Sequence, residues 1–173
     1  MNFKEEINED QSVEHAKLLA KFVIAHPKKV KDLVKLFFDE DTNISMRSAW
    51  VLSHVSMKTP EIIVPYIPDF LKFMKKKNAH PGTIRCILSC LQRINIPQKY
   101  CGIIFDYCMD YTKNATLPHA IRAFSITILV NICKKYPELK PEVELVLYEL
   151  KTFPQPGSII VRMRDAFKIL DKL

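Results

Sequence analysis

The chain has 173 residues, 48% of them hydrophobic, and a formal net charge of +7. That length and apolar content suit one compact domain with a sizeable core and exclude a disordered chain. Glycine occurs only at Gly82, Gly102 and Gly157, which excludes a glycine-rich phosphate loop and argues against a turn-rich sheet fold.

The chain begins Met1-Asn2-Phe3-Lys4-Glu5-Glu6 and stays acidic, with net −2 over residues 1–24. A secretory signal needs a basic start and an apolar run, and neither is present. No stretch approaches the roughly 18 apolar residues of a membrane span. A cytoplasmic location without a membrane span is therefore expected. Residues 11–25 carry Val13, Ala16, Leu19, Ala20 and Val23 at helical spacing, which predicts an amphipathic capping helix.

Further along, a repeat emerges. Met46-Arg47, Ile84-Arg85, Ile121-Arg122 and Val161-Arg162 each open an apolar run, and the arginines stand 38, 37 and 40 residues apart. Spacings near 40 belong to two-helix repeat units. Behind each arginine, apolar residues recur in steps of three and four: Ala49, Leu52 and Val55; Leu88, Leu91 and Ile94; Ile126, Leu129, Val130 and Cys133. Turn formers precede them, among them His80-Pro81-Gly82 and Pro154-Gln155-Pro156-Gly157, and proline near a helix start loses no helical hydrogen bond. A first helix is predicted before each, at about 28–39, 60–76, 97–112 and 138–152. Pro65 and Pro68 should interrupt the second of these.

These elements predict one domain over 1–173. It contains a cap at about 11–25 and repeats at about 28–57, 60–95, 97–135 and 138–172. The fold class is all-α, a right-handed α-α superhelix of about four helix pairs, because a single pair cannot bury both faces and a stack can.

The pattern resembles the HEAT-repeat family of α-solenoids: two antiparallel helices, proline in the first, and a valine-arginine-like pair opening the second. Pro65 and the four apolar-arginine pairs carry the resemblance, over about 28–172. The family also places an acidic residue six positions before the arginine. Asp41 matches it, whereas Ala79, Thr116 and Pro156 depart from it. Ala49-Trp50-Val51-Leu52 and Tyr136-Pro137-Glu138-Leu139-Lys140 are similar to small bacterial HEAT-like proteins without assigned activity. The resemblance implies a concave face of second helices that holds a protein or peptide.

On the helical face of those second helices stand Arg47, Trp50 and His54, then Arg85, Ser89 and Gln92, then Arg122 and Ser125. Arginine and tryptophan together favour a binding surface; the alternative is that the arginines pin adjacent repeats and Trp50 fills the core. Residues 58–99 hold eight basic and two acidic side chains, net +6, including Lys72, Lys75, Lys76 and Lys77. This basic patch suits an anionic partner or a solvated helix end. The rival expectation is a nucleic-acid binder resembling HEAT-like alkylpurine DNA glycosylases. Those enzymes group a tryptophan with an aspartate, and Trp50 has no aspartate within a turn on its helix. Tyr100, Tyr107 and Tyr111 suit core packing better than base stacking.

No nucleophile elbow, phosphate loop or clustered acid–base set is present, so no enzymatic activity is expected. Cys86, Cys90, Cys101, Cys108 and Cys133 follow no metal or disulfide spacing and are expected as buried free thiols, with no metal and no cofactor. The expected partner is an unidentified protein or peptide, with weak non-specific nucleic-acid binding as the secondary expectation.

Overall fold

The computed structural model describes residues 1–173 and contains ten α-helices and no strand. Its contacts gather into two compact units, Met1–Asn95 and Ile96–Leu173.

The first unit holds α1 (Phe3–Glu9), α2 (Val13–Ala25), α3 (Val30–Lys35), α4 (Thr42–Ser56), α5 (Ile67–Met74) and α6 (Pro81–Leu91). Helix starts follow local chemistry. The Ser12 hydroxyl accepts from His15 N–H, the Asp41 carboxylate from Asn43 N–H and His80 Nδ1 from Gly82 N–H. Each satisfies an otherwise orphaned donor of the first turn. The predicted helix at 28–39 is instead α3 between 3₁₀ turns Pro27–Lys29 and Leu36–Phe38. The predicted interruption is present at Pro65, where Pro60–Tyr66 is a 3₁₀ stretch, whereas Pro68 falls in the first turn of α5, where its missing N–H breaks no helical bond.

α4 is the centre of this unit, packed against α2, α3 and α6. Its core-facing Leu52 and Val55 are fully buried, and Phe37 lies between Phe70 and Phe73, with ring centroids 5.9 and 6.3 Å away. Small polar residues let α4 sit close to its neighbours. Ser45 donates to the Phe37 carbonyl at 2.8 Å and lies 3.1 Å from the Thr83 hydroxyl, so its burial leaves no orphan. At Gly82 a Cβ would stand 2.6 Å from Met46 Cγ, which is why the first turn of α6 holds a residue that has none.

The sequence reading has no counterpart for α1. Phe3 and Ile7 are both buried, and Lys4 Nζ meets the Asp39 carboxylate at 2.8 Å, just ahead of α4. α1 packs against α4, so the expected cap, α2, is preceded by a further short helix. Two apolar residues in seven are too few to register as a period.

The second unit holds α7 (Gln98–Lys113), α8 (His119–Cys133), α9 (Lys140–Lys151) and α10 (Gly157–Leu170). α8 packs against α7, α9 and α10. It is enclosed almost all round, and ten of its fifteen residues are buried, including Ile128, Leu129 and Cys133. Leu147, Ile159 and Leu170 complete the core.

All five cysteines are buried free thiols. Burial pushes Cys90 and Cys108 up to about 12 and Cys133 to about 11, because a thiolate is disfavoured away from water. No helix is long and apolar enough to cross a membrane.

Candidate functional site

The candidate residues fall on three second helices: Arg47, Trp50 and His54 on α4, Arg85 and Ser89 on α6 with Gln92 at its end, and Arg122 and Ser125 on α8. Their surroundings differ sharply.

On α4, Arg47 reaches the turn ahead of α2. Its Nη1 donates to the Gln11 carbonyl at 3.1 Å and its Nη2 to Gln11 Oε1 at 2.6 Å, tying α4 to the turn that opens α2. Trp50 is half-buried, facing a shallow groove with Gln11, Ser12 and His15, and its ring centroid lies 5.4 Å from that of His54. A half-buried tryptophan is neither a core residue nor a loose one.

His54 borders a cleft of about 190 Å³ lined by the apolar Ala20, Ile24 and Met57 and by Lys17, Lys21 and Lys58. Burial lowers its pKa below the ordinary histidine value, and Lys17 and Arg93 push the same way. The unfolded chain therefore binds a proton more readily than the folded one. Stability contributed by neutral His54 is complete above the unfolded histidine pKa and is lost as the pH falls below about 6.5. His54→Gln is expected to reduce the stability difference between pH 7.5 and pH 5.5 in urea unfolding; an undiminished difference contradicts the assignment.

On α6, Arg85 is exposed and Ser89 is half-buried, its hydroxyl accepting from Arg93 at 2.6 Å. On α8 the expectation of surface residues fails. Ser125 is fully buried and donates to the Ile121 carbonyl at 2.8 Å, so it is a core hydroxyl. Arg122 is 3% exposed; its Nε donates to the Thr112 carbonyl at 3.2 Å and its Nη2 to Gln155 Oε1 at 3.0 Å. Both follow from the near-complete enclosure of α8.

The basic patch lies on a first helix and the turn after it. Lys72 and Lys76 sit over aromatic rings, Lys72 at 5.2 Å from the Phe38 centroid and Lys76 at 5.2 Å from that of Phe73. Lys75 and Lys77 are exposed beside them. Cation–π contacts hold two of these ammonium groups against the protein's own surface.

The arginine ladder, with its two-helix units, identifies the architecture, and comparison agrees: a family model described as a HEAT repeat domain matches residues 3–169. The chain belongs to the HEAT-repeat family. No curated protein and no solved structure gives a significant match. HEAT repeats commonly mediate protein interactions, and the family is generally non-enzymatic. In this HEAT chain two of the four ladder arginines, Arg47 and Arg122, meet glutamines. Asp41, which fits the family's acidic position, caps its own helix. Gln11 and Gln155 were missed in the sequence because each lies 33 or more residues from the arginine it meets. Their place in the turns ahead of α2 and α10 is the one signal that points to them.

Proposed function

We propose that this chain is a non-enzymatic adaptor that binds a protein or peptide through the outward faces of its second helices. The observation that carries this reading is the ridge on α4, where half-buried Trp50 stands between Arg47 and His54. The neighbouring His54 cleft is lined by three apolar side chains and three lysines. An aromatic anchor beside cations and a partly desolvated pocket is the composition of binding hot spots. The reading takes residues 1–173 to act as one repeat domain in the cytoplasm.

The test is an affinity pull-down from source lysate, with and without nuclease. A protein captured in both conditions and lost with Trp50→Ala supports the adaptor. Capture that vanishes with nuclease opposes it.

The second reading, nucleic-acid binding, is favoured by the excess of lysine at Lys72, Lys75, Lys76 and Lys77. Against it, Lys72 and Lys76 are on α5 or just after it and already lie over Phe38 and Phe73, while Trp50 and His54 are on α4. Electrophoretic shifts with duplex and single-stranded oligonucleotides are expected to show weak, salt-labile binding of roughly 10⁻⁴ to 10⁻⁶ M. Affinity tighter than about 10⁻⁸ M at physiological salt reverses the ranking.

A further inference from the structure

Arg122 is the only charged side chain in the buried set, and it has no acidic partner. Its two hydrogen bonds go to neutral oxygens, those of Thr112 and Gln155. The ion pairs of the chain do not include it. At the position where the family places an acidic residue stands Thr116. Withdrawal from water lowers the pKa of the guanidinium, as expected for a cation without a counter-ion.

A buried cation is ordinarily paired. A guanidinium has five N–H donors, and Arg122 uses two. Nη1 is not among the sealed, partnerless atoms of the chain. Arg122 lies in the wall of a cleft of about 550 Å³ within the second unit, which is a size suited to a small ligand or a short peptide segment. Lys113 and His119 line the same cleft, and Glu149 is its one carboxylate. Leu150, Phe153 and Pro154 form an apolar side, and Phe153 is 69% exposed. The outer side of Phe153 faces a second, apolar cleft with Ile160 and Phe167.

We propose that this cleft binds the carboxylate of a partner peptide whose neighbouring side chain is apolar. The carboxylate pairs with the free edge of Arg122 and with Lys113, and the apolar neighbour lies on Leu150, Phe153 and Pro154. A planar carboxylate matches the guanidinium fork. A polyanionic backbone does not suit the site, because Glu149 and the apolar wall oppose a second phosphate. This inference rests on the protein-binding reading and gives that reading a partner chemistry.

The test is nuclear magnetic resonance of the full ¹⁵N-labelled chain, titrated with acetyl-Phe-Glu-Leu-amide and with acetyl-Phe-Gln-Leu-amide. Separate arms use inorganic phosphate and a duplex oligonucleotide. Saturable shifts at Arg122 Nε–H, His119 and Phe153 are expected with the Glu peptide, with the Gln peptide weaker by about tenfold or more. Lys113→Gln, an exposed change that leaves the core alone, is expected to weaken the Glu peptide several-fold. Equal binding of the two peptides, no response at these residues, or a stronger response to phosphate or duplex overturns the proposal. If a captured protein partner is neither displaced by excess Glu peptide nor weakened by Lys113→Gln, the adaptor reading stands and this one fails. Glu-selective binding by a chain that captures no protein supports the cleft and removes the adaptor reading.

Discussion

Alanine at Leu52, Leu88, Leu91 or Leu129 is expected to lower the unfolding free energy by about 2–5 kcal/mol at each site. All four are at most 1% exposed. Each truncation removes buried methyl groups and leaves a cavity that the surrounding helices fill only in part. The first three sit in the α4 and α6 layer of the first unit, and Leu129 in the enclosed α8 of the second. Stacked pairs share their core with the next pair, so the unfolding transition should broaden as well as shift. Urea unfolding of the single variants measures both. A loss below about 0.5 kcal/mol, the size of a surface change, at all four positions contradicts the assigned faces.

These leucines were legible in the sequence because burial on a second helix repeats in steps of three and four, and that period survives any particular packing partner. Boundaries were legible for the same kind of reason: Pro60, Pro81, Pro118 and Pro156 stand at or beside helix starts. What periodicity does not carry is how far a helix is covered. α4 keeps Trp50 half-exposed, while α8 loses Arg122 and Ser125 to the core, although both helices present the same arginine signature. The difference comes from neighbours distant in the chain: α8 is enclosed by α7, α9 and α10 together. Charge was equally misleading as a regional sum. The surplus over 58–99 suggested one patch. Yet Lys72 and Lys76 lie over rings of the first-helix layer, whereas Lys17 and Lys21, from the acidic N-terminal stretch, line the His54 cleft. Net charge counts residues along the chain, and the surface sorts them by helix face.

Arg122→Lys is expected to destabilise the chain by about 1–3 kcal/mol, and Arg122→Met by less. Lysine keeps the buried charge but has a single nitrogen. It cannot reach the Thr112 carbonyl and Gln155 Oε1 in the two directions used by Nε and Nη2, so one hydrogen bond is lost while the desolvation of the cation remains. Methionine removes both the bonds and the charge. Half-buried Gln155 lines the cleft and stays tied to the Leu150 carbonyl at 3.0 Å, so its freed oxygen borders the cleft, and only the carbonyl of buried Thr112 loses its partner in the interior. With no carboxylate to offset its burial, the guanidinium contributes little net stability, and its two hydrogen bonds must compete with several kcal/mol of lost hydration. Urea midpoints of the two variants decide the order; methionine less stable than lysine contradicts an uncompensated charge. The same pair of proteins then bears on the cleft. If Arg122→Met folds nearly as well as the parent chain yet no longer distinguishes the Glu peptide from the Gln peptide, the arginine serves the ligand more than the fold.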